Sequence, residues 1–425
     1  MLQINQLRDN KQAVLDGLAK RNFKQAEEIV NQILSLDDKR RDTQTNLDNN
    51  NAQLNQLSKS IGELMKGGKK QEAEQAKLTT ATIKDNIKEF ELLLKQCEQD
   101  VFDSLVLLPN VPHKSVKAGV SAEDNEVLYE VETLPILPDD ALPHWEIIQR
   151  LDIIDFELGN KITGAGFPVY KGKGAKLQRA LINFFLDQAS DAGYTEIAPP
   201  LLVNRESGFG TGQLPDKEGQ MYHDAQDDLY LIPTAEVPIT NIYRDVILQE
   251  KDFPILNAGY TPCFRREAGS WGAHVRGLNR LHQFDKIEIV QIQHPEKSYE
   301  ALEAMLAHVR GLLEKLALPY RVLRLCAGDM GFASACTYDL EVYSAAQKRW
   351  LEVSSVSNFE AFQANRLKLR YKDEIQKRNV LAHTLNGSAL ALPRILAALL
   401  ENNQTPTGNV RIPTILQAYT RFEEI

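Results

Sequence analysis

The sequence predicts an α+β protein with two main parts: an N-terminal antiparallel coiled-coil hairpin of helices, and a larger part built on an antiparallel β-sheet flanked by helices. Apolar residues recur at alternating steps of three and four on both sides of Gly67-Gly68, the pattern of two helices packed together. Strand-like segments before and after the glycine- and arginine-rich stretch 269–280 indicate a long β-hairpin. An apolar helical stripe at 177–189 would cover one face of such a sheet.

Length and charge limit the organisation and the partners. At 425 residues the chain is too long for one ordinary domain. We predict a helical arm at 1–103, a proline-rich linker and entry segment at 104–143, and the main domain at 144–425. The net charge of −9 argues against nucleic-acid binding by a basic surface over the whole chain, so such contacts would need local clusters.

The cysteine spacing and the hydropathy pattern predict a cellular location. Cys97, Cys263, Cys326 and Cys336 fit neither a zinc site nor a disulfide framework, which favours a reducing compartment. The N-terminus lacks a basic region followed by an apolar core, and no apolar run approaches the roughly 20 residues that span a bilayer. We therefore expect a soluble, cytoplasmic protein with no membrane partner.

After a short helical lead-in to about residue 25, the arm is predicted as two helices of about 35 residues that reach roughly 50 Å. The polar seam residues Arg40, Thr43 and Asn50 should weaken the middle of the arm or fix its register. The predicted seams are Ile33, Leu36, Arg40, Thr43, Leu47, Asn50, Leu54, Leu57, Ile61 and Leu64, then Ala73, Ala76, Thr80, Ile83, Ile87, Phe90, Leu94, Cys97 and Val101.

Two functions fit such an arm. Most coiled coils join partner chains. However, the glycine break favours a hairpin that packs on itself, and basic clusters at 39–41 and at Lys66, Lys69 and Lys70 would suit phosphate contacts.

The glycine-rich stretch 164–174 does not match a phosphate-binding loop. Gly166 and Gly172-Lys173 are one residue too far apart for the Walker pattern, and Gly174 stands where Ser or Thr is needed. A loop before the 177–189 helix is the better interpretation. The strand predicted after that helix contains Pro199 and Pro200, which should place it at a sheet edge.

Three segments carry candidate functional groups. Thr234 and Glu236 would face the same way in an extended chain, although such a pair could equally cap the following helix. On the second hairpin strand, Lys286 and Glu288 share one face, as a surface strand or as the charged floor of a site. Glu352 has apolar neighbours and would need a partner, for which a structural ion pair is one candidate.

The segment Phe264-Arg265-Arg266-Glu267, followed by His282-Gln283-Phe284, resembles motif 2 of class II aminoacyl-tRNA synthetases. The amino-acid sequences from Glu267 to Ser270 and from Arg280 to Lys286 are most similar to those of seryl-tRNA synthetases. The helix and the strand with Pro200 resemble motif 1. Arg394, in a strongly apolar helix after Asn386-Gly387-Ser388, matches the motif 3 arginine.

The resemblance implies two catalytic residues, Arg265 and Arg394, and a Mg²⁺ ion held by Glu352 and Ser355. Phe284 would stack on adenine, Glu267 would contact it, Glu236 would attract the serine ammonium and Glu288 would accept from the serine hydroxyl. The implied ATP site is Arg265, Arg266, Glu267, Phe284, Glu352, Val353, Ser354, Ser355 and Arg394. The implied L-serine site is Thr234, Ala235, Glu236, Arg265, Glu288, Asn386 and Ser388.

The resemblance also implies an activity and its partners: ATP-dependent activation of L-serine, followed by transfer to tRNA(Ser), and also to tRNA(Sec). In the family, the arm grips the long variable arm of the tRNA, and motif 1 builds a homodimer. Pro393 departs from the usual glycine beside the motif 3 arginine, and Val353, Val356 and Trp271 are milder departures.

Two alternatives from other classes stay open on the sequence. A synthetase-like ligase could charge a carrier protein or a small molecule, but that task has no need of a tRNA-binding arm. A coiled-coil interaction protein could carry an inactive synthetase domain, but the functional groups of all three motifs are retained. The pattern excludes a class I synthetase, because no His-x-Gly-His signature is present.

Overall fold

The computed structural model describes residues 1–137, 141–216, 218–267 and 276–425. The chain divides into two compact units. One contains Met1–Ala19 and Phe23–Pro109, and the other contains Lys20–Asn22 and Asn110–Ile425. Both belong to the predicted α+β architecture, a helical hairpin and a sheet with helices.

The first unit is helical. Its two long helices pack against each other and are joined at Gly67-Gly68, where Gly68 has a positive φ of 76°. The helices are α1 (Ile4–Asp9), α2 (Lys11–Lys20), α3 (Ala26–Lys66) and α4 (Lys70–Val106). Every predicted seam residue is buried or partly buried, whereas Leu78 and Leu92, which lie off the seam, are exposed. The predicted hairpin and its seams are therefore confirmed.

The polar seam residues satisfy their hydrogen bonds locally. The Thr43 hydroxyl donates to Lys39 O at 2.8 Å, and Asn50 Nδ2 donates to Asn46 O at 2.8 Å. Arg40 Nε donates to Asp37 Oδ1 at 3.0 Å, and Arg8 Nε lies 3.3 Å from Asp37 Oδ2. The buried Asp37 thereby links α1 to α3.

The second unit is organised around an eight-stranded sheet in the order β1-β11-β12-β13-β16-β10-β9-β4, in which all neighbours are antiparallel except β4 and β9. Its strands are β1 (Glu126–Glu130), β4 (Thr195–Glu196), β9 (Ile255–Phe264), β10 (Gln283–Gln293), β11 (Tyr320–Arg324), β12 (Cys336–Ser344), β13 (Arg349–Glu360) and β16 (His383–Ala391). Smaller sheets contain β2 (Ile154–Asp155), β3 (Val169–Tyr170), β5 (Leu202–Val203), β6 (His223–Asp224), β7 (Leu229–Leu231), β8 (Ile247–Gln249), β14 (Arg370–Asp373) and β15 (Arg378–Leu381).

Helices cover the sheet and form the core with it. Apolar residues of α7, α10 and α12 pack with Ile287 and Ile289 of β10 in one large cluster. The helices are α5 (His144–Arg150), α6 (Phe156–Ile162), α7 (Gly172–Asp191), α8 (Arg205–Thr211), α9 (Glu236–Asn241), α10 (Ser298–Lys315), α11 (Ala361–Leu367), α12 (Leu392–Asn402) and α13 (Thr414–Thr420). Among the described residues, no helix combines the length and the apolarity needed to cross a membrane.

The structure differs from the sequence-based expectations in three places. The edge strand β4 ends at Glu196, so Pro199 and Pro200 follow the strand, where no ladder hydrogen bond is lost. Thr234 and Glu236 do not lie in extended chain, because Glu236 begins α9. Within the predicted linker, residues 126–130 form β1, which pairs with β11. A separate role for 104–143 stays a prediction.

Candidate active site

The predicted hairpin forms the floor of the candidate site. Strands β9 and β10 pair without interruption from Gln283↔Phe264 to Ile292↔Ile255. Every second residue of a strand points to the same side, so Phe284, Lys286 and Glu288 of β10 form a row on one face. Lys286 and Glu288 are buried, at 6% and 1% exposure. The surface-strand interpretation is therefore wrong, because the charged groups lie in a covered floor.

Arg265 lies at the Phe264 end of this row. Its guanidinium is 5.3 Å from the centroid of the Phe284 ring, and its Nε donates to Pro233 O at 3.4 Å. These two contacts hold the Arg265 guanidinium between the aromatic ring and the segment that leads to Thr234. The guanidinium therefore lies where it can reach an anion held over the row.

Arg266 and Glu267 follow with different surroundings. Arg266 is exposed, and its backbone N–H donates to Gln220 O at 2.8 Å. Glu267 has a positive φ of 49° and pairs with Arg280, which lies just before β10. The stretch Ala268 to Ser270, and Trp271 after it, lie outside the described residues.

The Glu288 end of the row is a buried polar pocket. The Thr234 hydroxyl donates to Glu288 Oε2 at 3.1 Å, and it accepts from the backbone N–H of Glu236 at 3.2 Å. The Thr234 hydroxyl therefore bonds to the first backbone N–H of α9 and also to Glu288, a contact that the sequence did not predict. Ser388 lies opposite Glu288 on β16, and Asn386 lies opposite Val290, which places both on the same face.

Glu236 is an unusual carboxyl group in this pocket. Burial raises its pKa, the Glu288 charge raises it further, and together they bring it to about 7. Gln363 Nε2 of α11 donates to Glu236 Oε1 at 2.7 Å, and the Thr384 hydroxyl donates to Gln363 Oε1 at 2.6 Å. These two hydrogen bonds hold the carboxyl group of Glu236 in place, but they supply no positive charge to it. Ala235, between Thr234 and Glu236, is fully buried.

Arg394, Glu352 and Ser355 meet at a second corner. Arg394 Nη1 donates to Glu352 O at 2.6 Å and lies 3.7 Å from Glu352 Oε2. The Ser355 hydroxyl donates to Glu352 Oε1 at 3.5 Å. The Glu352 side chain is 49% exposed, so the predicted ion pair exists, but it lies at the surface of the corner instead of in the core.

The same corner can be tested as a Mg²⁺ site. Asp339, opposite Ser355 on β12, has a buried Oδ1 without a hydrogen-bond partner among the described residues. Burial, with the Glu352 charge, raises the pKa of Asp339 well above its usual range. An orphaned carboxyl oxygen beside a carboxylate and a hydroxyl fits a hard divalent cation, which keeps waters and takes phosphate oxygens as further ligands.

Two predicted ATP-site residues have their side chains elsewhere. Val353 is in the core, at 1% exposure, and the Ser354 hydroxyl donates to Ser388 O at 2.6 Å. A bulge between Leu340 and Glu341 accompanies this change of direction in β13. Only the backbone of Val353 and Ser354 can therefore line a ligand beside Glu352 and Ser355.

Several groups at the site have roles that the sequence did not predict. Gln363 carried no signal, because its link to Glu236 crosses 127 residues of chain. Asp339 shares β12 with Glu341, so no local pattern distinguishes it. Lys286 was recognised only as a neighbour of Glu288, and the two side chains form a buried ion pair of 2.5 Å.

Comparisons with known proteins agree with this geometry. Residues 1–112 match the seryl-tRNA synthetase N-terminal domain, and residues 220–403 match the tRNA synthetase class II core domain (G, H, P, S and T). The serine–tRNA ligase of Salinibacter ruber is 50% identical over 425 residues, which cover 100% of this chain and 99% of the relative. The chain belongs to the serine–tRNA ligase family.

Other members of the serine–tRNA ligase family extend the likeness. The enzyme of Prosthecochloris aestuarii is 46% identical over 427 residues, covering 100% of this chain and 99% of its own. The solved seryl-tRNA synthetase of Pyrococcus horikoshii, complexed with ATP, superposes with a TM-score of 0.94 at 32% identity and covers 100% of this chain and 99% of that one. The resemblance on which the expected roles rest is therefore confirmed at family level.

Proposed function

We propose that this chain activates L-serine with ATP to form seryl-adenylate, and then transfers the seryl group to tRNA(Ser) and to tRNA(Sec). The buried pocket of Thr234, Glu236 and Glu288 beside Arg265 carries this proposal. It offers two carboxyl groups to a small molecule with an ammonium and a hydroxyl group, and a guanidinium for the carboxylate. Family membership supports the same reaction.

Activation brings two anions together, so the site must neutralise charge and align the attack. A serine carboxylate oxygen forms the new bond to the α-phosphorus of ATP, and the bond to the pyrophosphate oxygen breaks with its electron pair. No protein nucleophile is needed, because position and electrostatics supply the rate. Arg265 bridges the serine carboxylate and the α-phosphate, with the adenine stacked on Phe284 and contacted by Glu267.

Specificity for serine follows from the burial of the pocket. Glu236 attracts the ammonium, Glu288 accepts from the hydroxyl, and Asn386 and Ser388 complete the lining. Alanine has no hydroxyl to donate to Glu288, and the loss of one hydrogen bond to a charged group costs about 1.5–3 kcal/mol. Threonine would have to place an extra methyl group beside Ser388.

The other corner holds the remaining phosphates. Arg394 binds the outer phosphate of ATP, and Arg266 adds positive charge nearby. Glu352 and Ser355 would hold Mg²⁺, which would supply positive charge to the phosphates. The 3.7 Å pair between Arg394 and Glu352 keeps both groups in reach of the nucleotide. Pro393 is the first-turn residue of α12, a position that tolerates proline because no backbone N–H is needed there.

Two partners complete the proposal. The arm of α3 and α4 binds the tRNA through local basic clusters, among which Lys66, Lys69 and Lys70 flank its tip. Helix α7 and the segment through Pro200 form the homodimer interface of motif 1. The expected location is the cytoplasm, and the predicted segments 1–103, 104–143 and 144–425 correspond to arm, entry segment and catalytic domain.

The test is amino-acid-dependent exchange of labelled pyrophosphate into ATP, without tRNA, with serine, threonine, alanine and glycine. Strong exchange with serine alone supports both the reaction and the pocket. Exchange with another amino acid would keep the activation chemistry and overturn the specificity. Absence of exchange with all four would refute the proposal and favour an inactive domain.

A further inference from the structure

Lys286 is the one cation inside the buried row of β10, and the reaction described above gives it no task. Its side chain is 7% exposed and its ammonium pairs with Glu288 at 2.5 Å. Taking an ammonium out of water is costly, and a pair with one carboxylate satisfies only part of its three N–H donors. A counter-ion for Glu288 alone would therefore be an expensive arrangement, and an apolar residue would pack there more easily.

The register places this ammonium between the two halves of the substrate pair. The ladder between β9 and β10 is regular over residues 283–292, so side chains at 284, 286 and 288 are spaced by about 6.5–7 Å along one face. If Phe284 lies under adenine and Glu288 accepts from the serine hydroxyl, then position 286 lies below the space between them. That space is where the serine carboxylate must meet the α-phosphate.

The residues that flank Lys286 in the sheet carry short side chains. They are Thr261 on β9 and Ala391 on β16. The ladder to β16 shifts between Lys286 and Glu288, so β16 has an extra residue there. Bulges of this kind redirect the backbone near functional sites.

The positive charge of Lys286 affects the pKa of groups near both ends of the row. Burial raises the pKa of Glu236 and of the Cys263 thiol, and the Lys286 ammonium opposes that rise in both cases. Glu236 belongs to the serine pocket, and Cys263 lies opposite Phe284. The ammonium is therefore near enough to affect both ends of the row.

We propose that Lys286 is a catalytic residue of the activation step, whose ammonium keeps one hydrogen bond to Glu288 and donates others to the oxygens where the serine carboxylate meets the α-phosphate. The flexible stem and three donors of lysine suit a group that serves two anions at once. Negative charge builds on the α-phosphate oxygens as the carboxylate attacks, and a fixed positive charge there stabilises that state. Lys286 transfers no proton. This inference rests on the proposed function.

The decisive variant is Lys286→Met, which keeps the length and apolar stem of the side chain and removes its charge. We expect kcat for serine-dependent pyrophosphate exchange to fall by about a hundredfold or more, the usual loss when one transition-state donor is removed. KM for serine should change less than kcat. A purely structural counter-ion would give the opposite split: kcat within threefold of wild type and a raised KM for serine, with weaker rejection of alanine. That result would overturn the proposal.

A second pair of variants separates catalysis from misfolding. Lys286→Met leaves Glu288 buried and unpaired, so the same change is also made in a Glu288→Gln background, where no charge is stranded. The double variant should still have a kcat about a hundredfold below that of Glu288→Gln alone. Equal kcat values in these two proteins would refute the role of Lys286.

Wild-type protein and a surface control keep this test apart from the test of the proposed function. Lys297→Met removes an exposed lysine that pairs with Glu300 on α10, and it should leave kcat unchanged. Exchange by wild type and by Lys297→Met, with loss in Lys286→Met, supports the inference. If wild type itself shows no exchange with serine, the proposed function fails first, and the inference falls with it.

Discussion

The arm and the floor of the catalytic unit both bury polar groups, but they satisfy them over different distances along the chain. In the arm, Thr43 and Asn50 donate to carbonyls four residues back, and Asp37 is held by Arg40 from three residues away and by Arg8 of the preceding helix α1. In the floor, Glu288 takes Thr234 from 54 residues away, and Glu236 takes Gln363 from 127 residues away. Hydrogen bonds between residues near in sequence suit the long helices of the arm, whereas hydrogen bonds between residues far apart in sequence assemble the pocket.

The two parts also differ in the polar groups that they leave available for ligands. In the arm, Thr43, Arg40 and Asn50 bond within α3, and Asp37 is held by Arg8 and Arg40. The catalytic unit holds Glu236, with a pKa raised to about 7, and Asp339 at the second corner, whose buried Oδ1 has no hydrogen-bond partner among the described residues, so it retains groups that a ligand can satisfy. Buried polar groups that are incompletely paired cost stability, and active sites are where proteins accept that cost.

The largest expected effect comes from removing most of the arm. Deletion of Val30 to Val101, with the ends joined by a short glycine–serine linker, removes most of α3 and α4. Because the floor draws all of its named contacts from the second unit, serine-dependent pyrophosphate exchange should persist within a fewfold of wild type. Charging of tRNA(Ser) should fall by at least about a thousandfold, the usual margin between specific and non-specific nucleic-acid binding.

Both steps are measured on the same preparation, by exchange and by aminoacylation. Loss of exchange together with charging would show that the arm supports the catalytic fold, and the contrast drawn above would fail. Retained charging would remove the arm from tRNA recognition.

The same contrast explains how much the sequence could predict. The seams of α3 and α4 follow from a local repeat, and every predicted seam residue is at least partly buried. The hairpin of β9 and β10 was predicted on the same basis, from alternation and a glycine-rich tip. Arg394, Glu352 and Ser355 were brought together by resemblance to a family, since they lie on two elements 40 residues apart and no local pattern joins them.

The sequence was least informative where a side chain's role depends on tertiary contacts. Glu352 was expected among apolar neighbours and is half exposed, because a bulge turns β13 at Val353. Thr234 and Glu236 were expected in extended chain, but a helix starts there. Gln363 and Asp339 could not be assigned, because their importance comes from what they face. Spacing along the chain predicts which residues share a face, but not what covers that face.

A smaller effect tests the electrostatic state of the floor. Only the ionised form of Glu236 attracts the serine ammonium, and its pKa is about 7. KM for serine in the exchange reaction should therefore be nearly constant above pH 8 and rise by up to about tenfold per unit as the pH falls below 7. KM for ATP, which is bound away from Glu236, should not follow this profile.

Unfolding cannot produce the same profile through this group. A carboxyl group whose pKa is higher in the folded than in the unfolded state stabilises the fold at low pH, and that contribution is lost as the pH rises through about 7. Glu236→Gln is the matched variant: it should bind serine weakly at every pH, with a flat profile. A flat profile in the wild type would show that protonation of Glu236 does not control serine binding, and an unchanged slope in Glu236→Gln would assign the titration to another group.

The smallest expected effect concerns the arm, where two neighbouring aspartates differ in burial. Asp37 is 1% exposed and is held by Arg8 and Arg40, whereas Asp38 is 71% exposed and lies 3.7 Å from Arg41. Asp37→Ala removes the shared acceptor that links α1 to α3 and should lower the free energy of opening in α3 by about 1–3 kcal/mol. Asp38→Ala removes only a surface pair and should cost less than about 1 kcal/mol.

Hydrogen exchange of backbone amides in the full chain measures both variants in place. Protection should fall in α1 and in the first half of α3 for Asp37→Ala, and amides of β9 and β10 should keep wild-type rates in both variants. Because the polar contacts of the arm are local, the loss should not spread to the sheet. Equal effects of the two substitutions would mean that burial of Asp37 adds nothing, and loss of protection in the sheet would mean that polar satisfaction in the arm is not local.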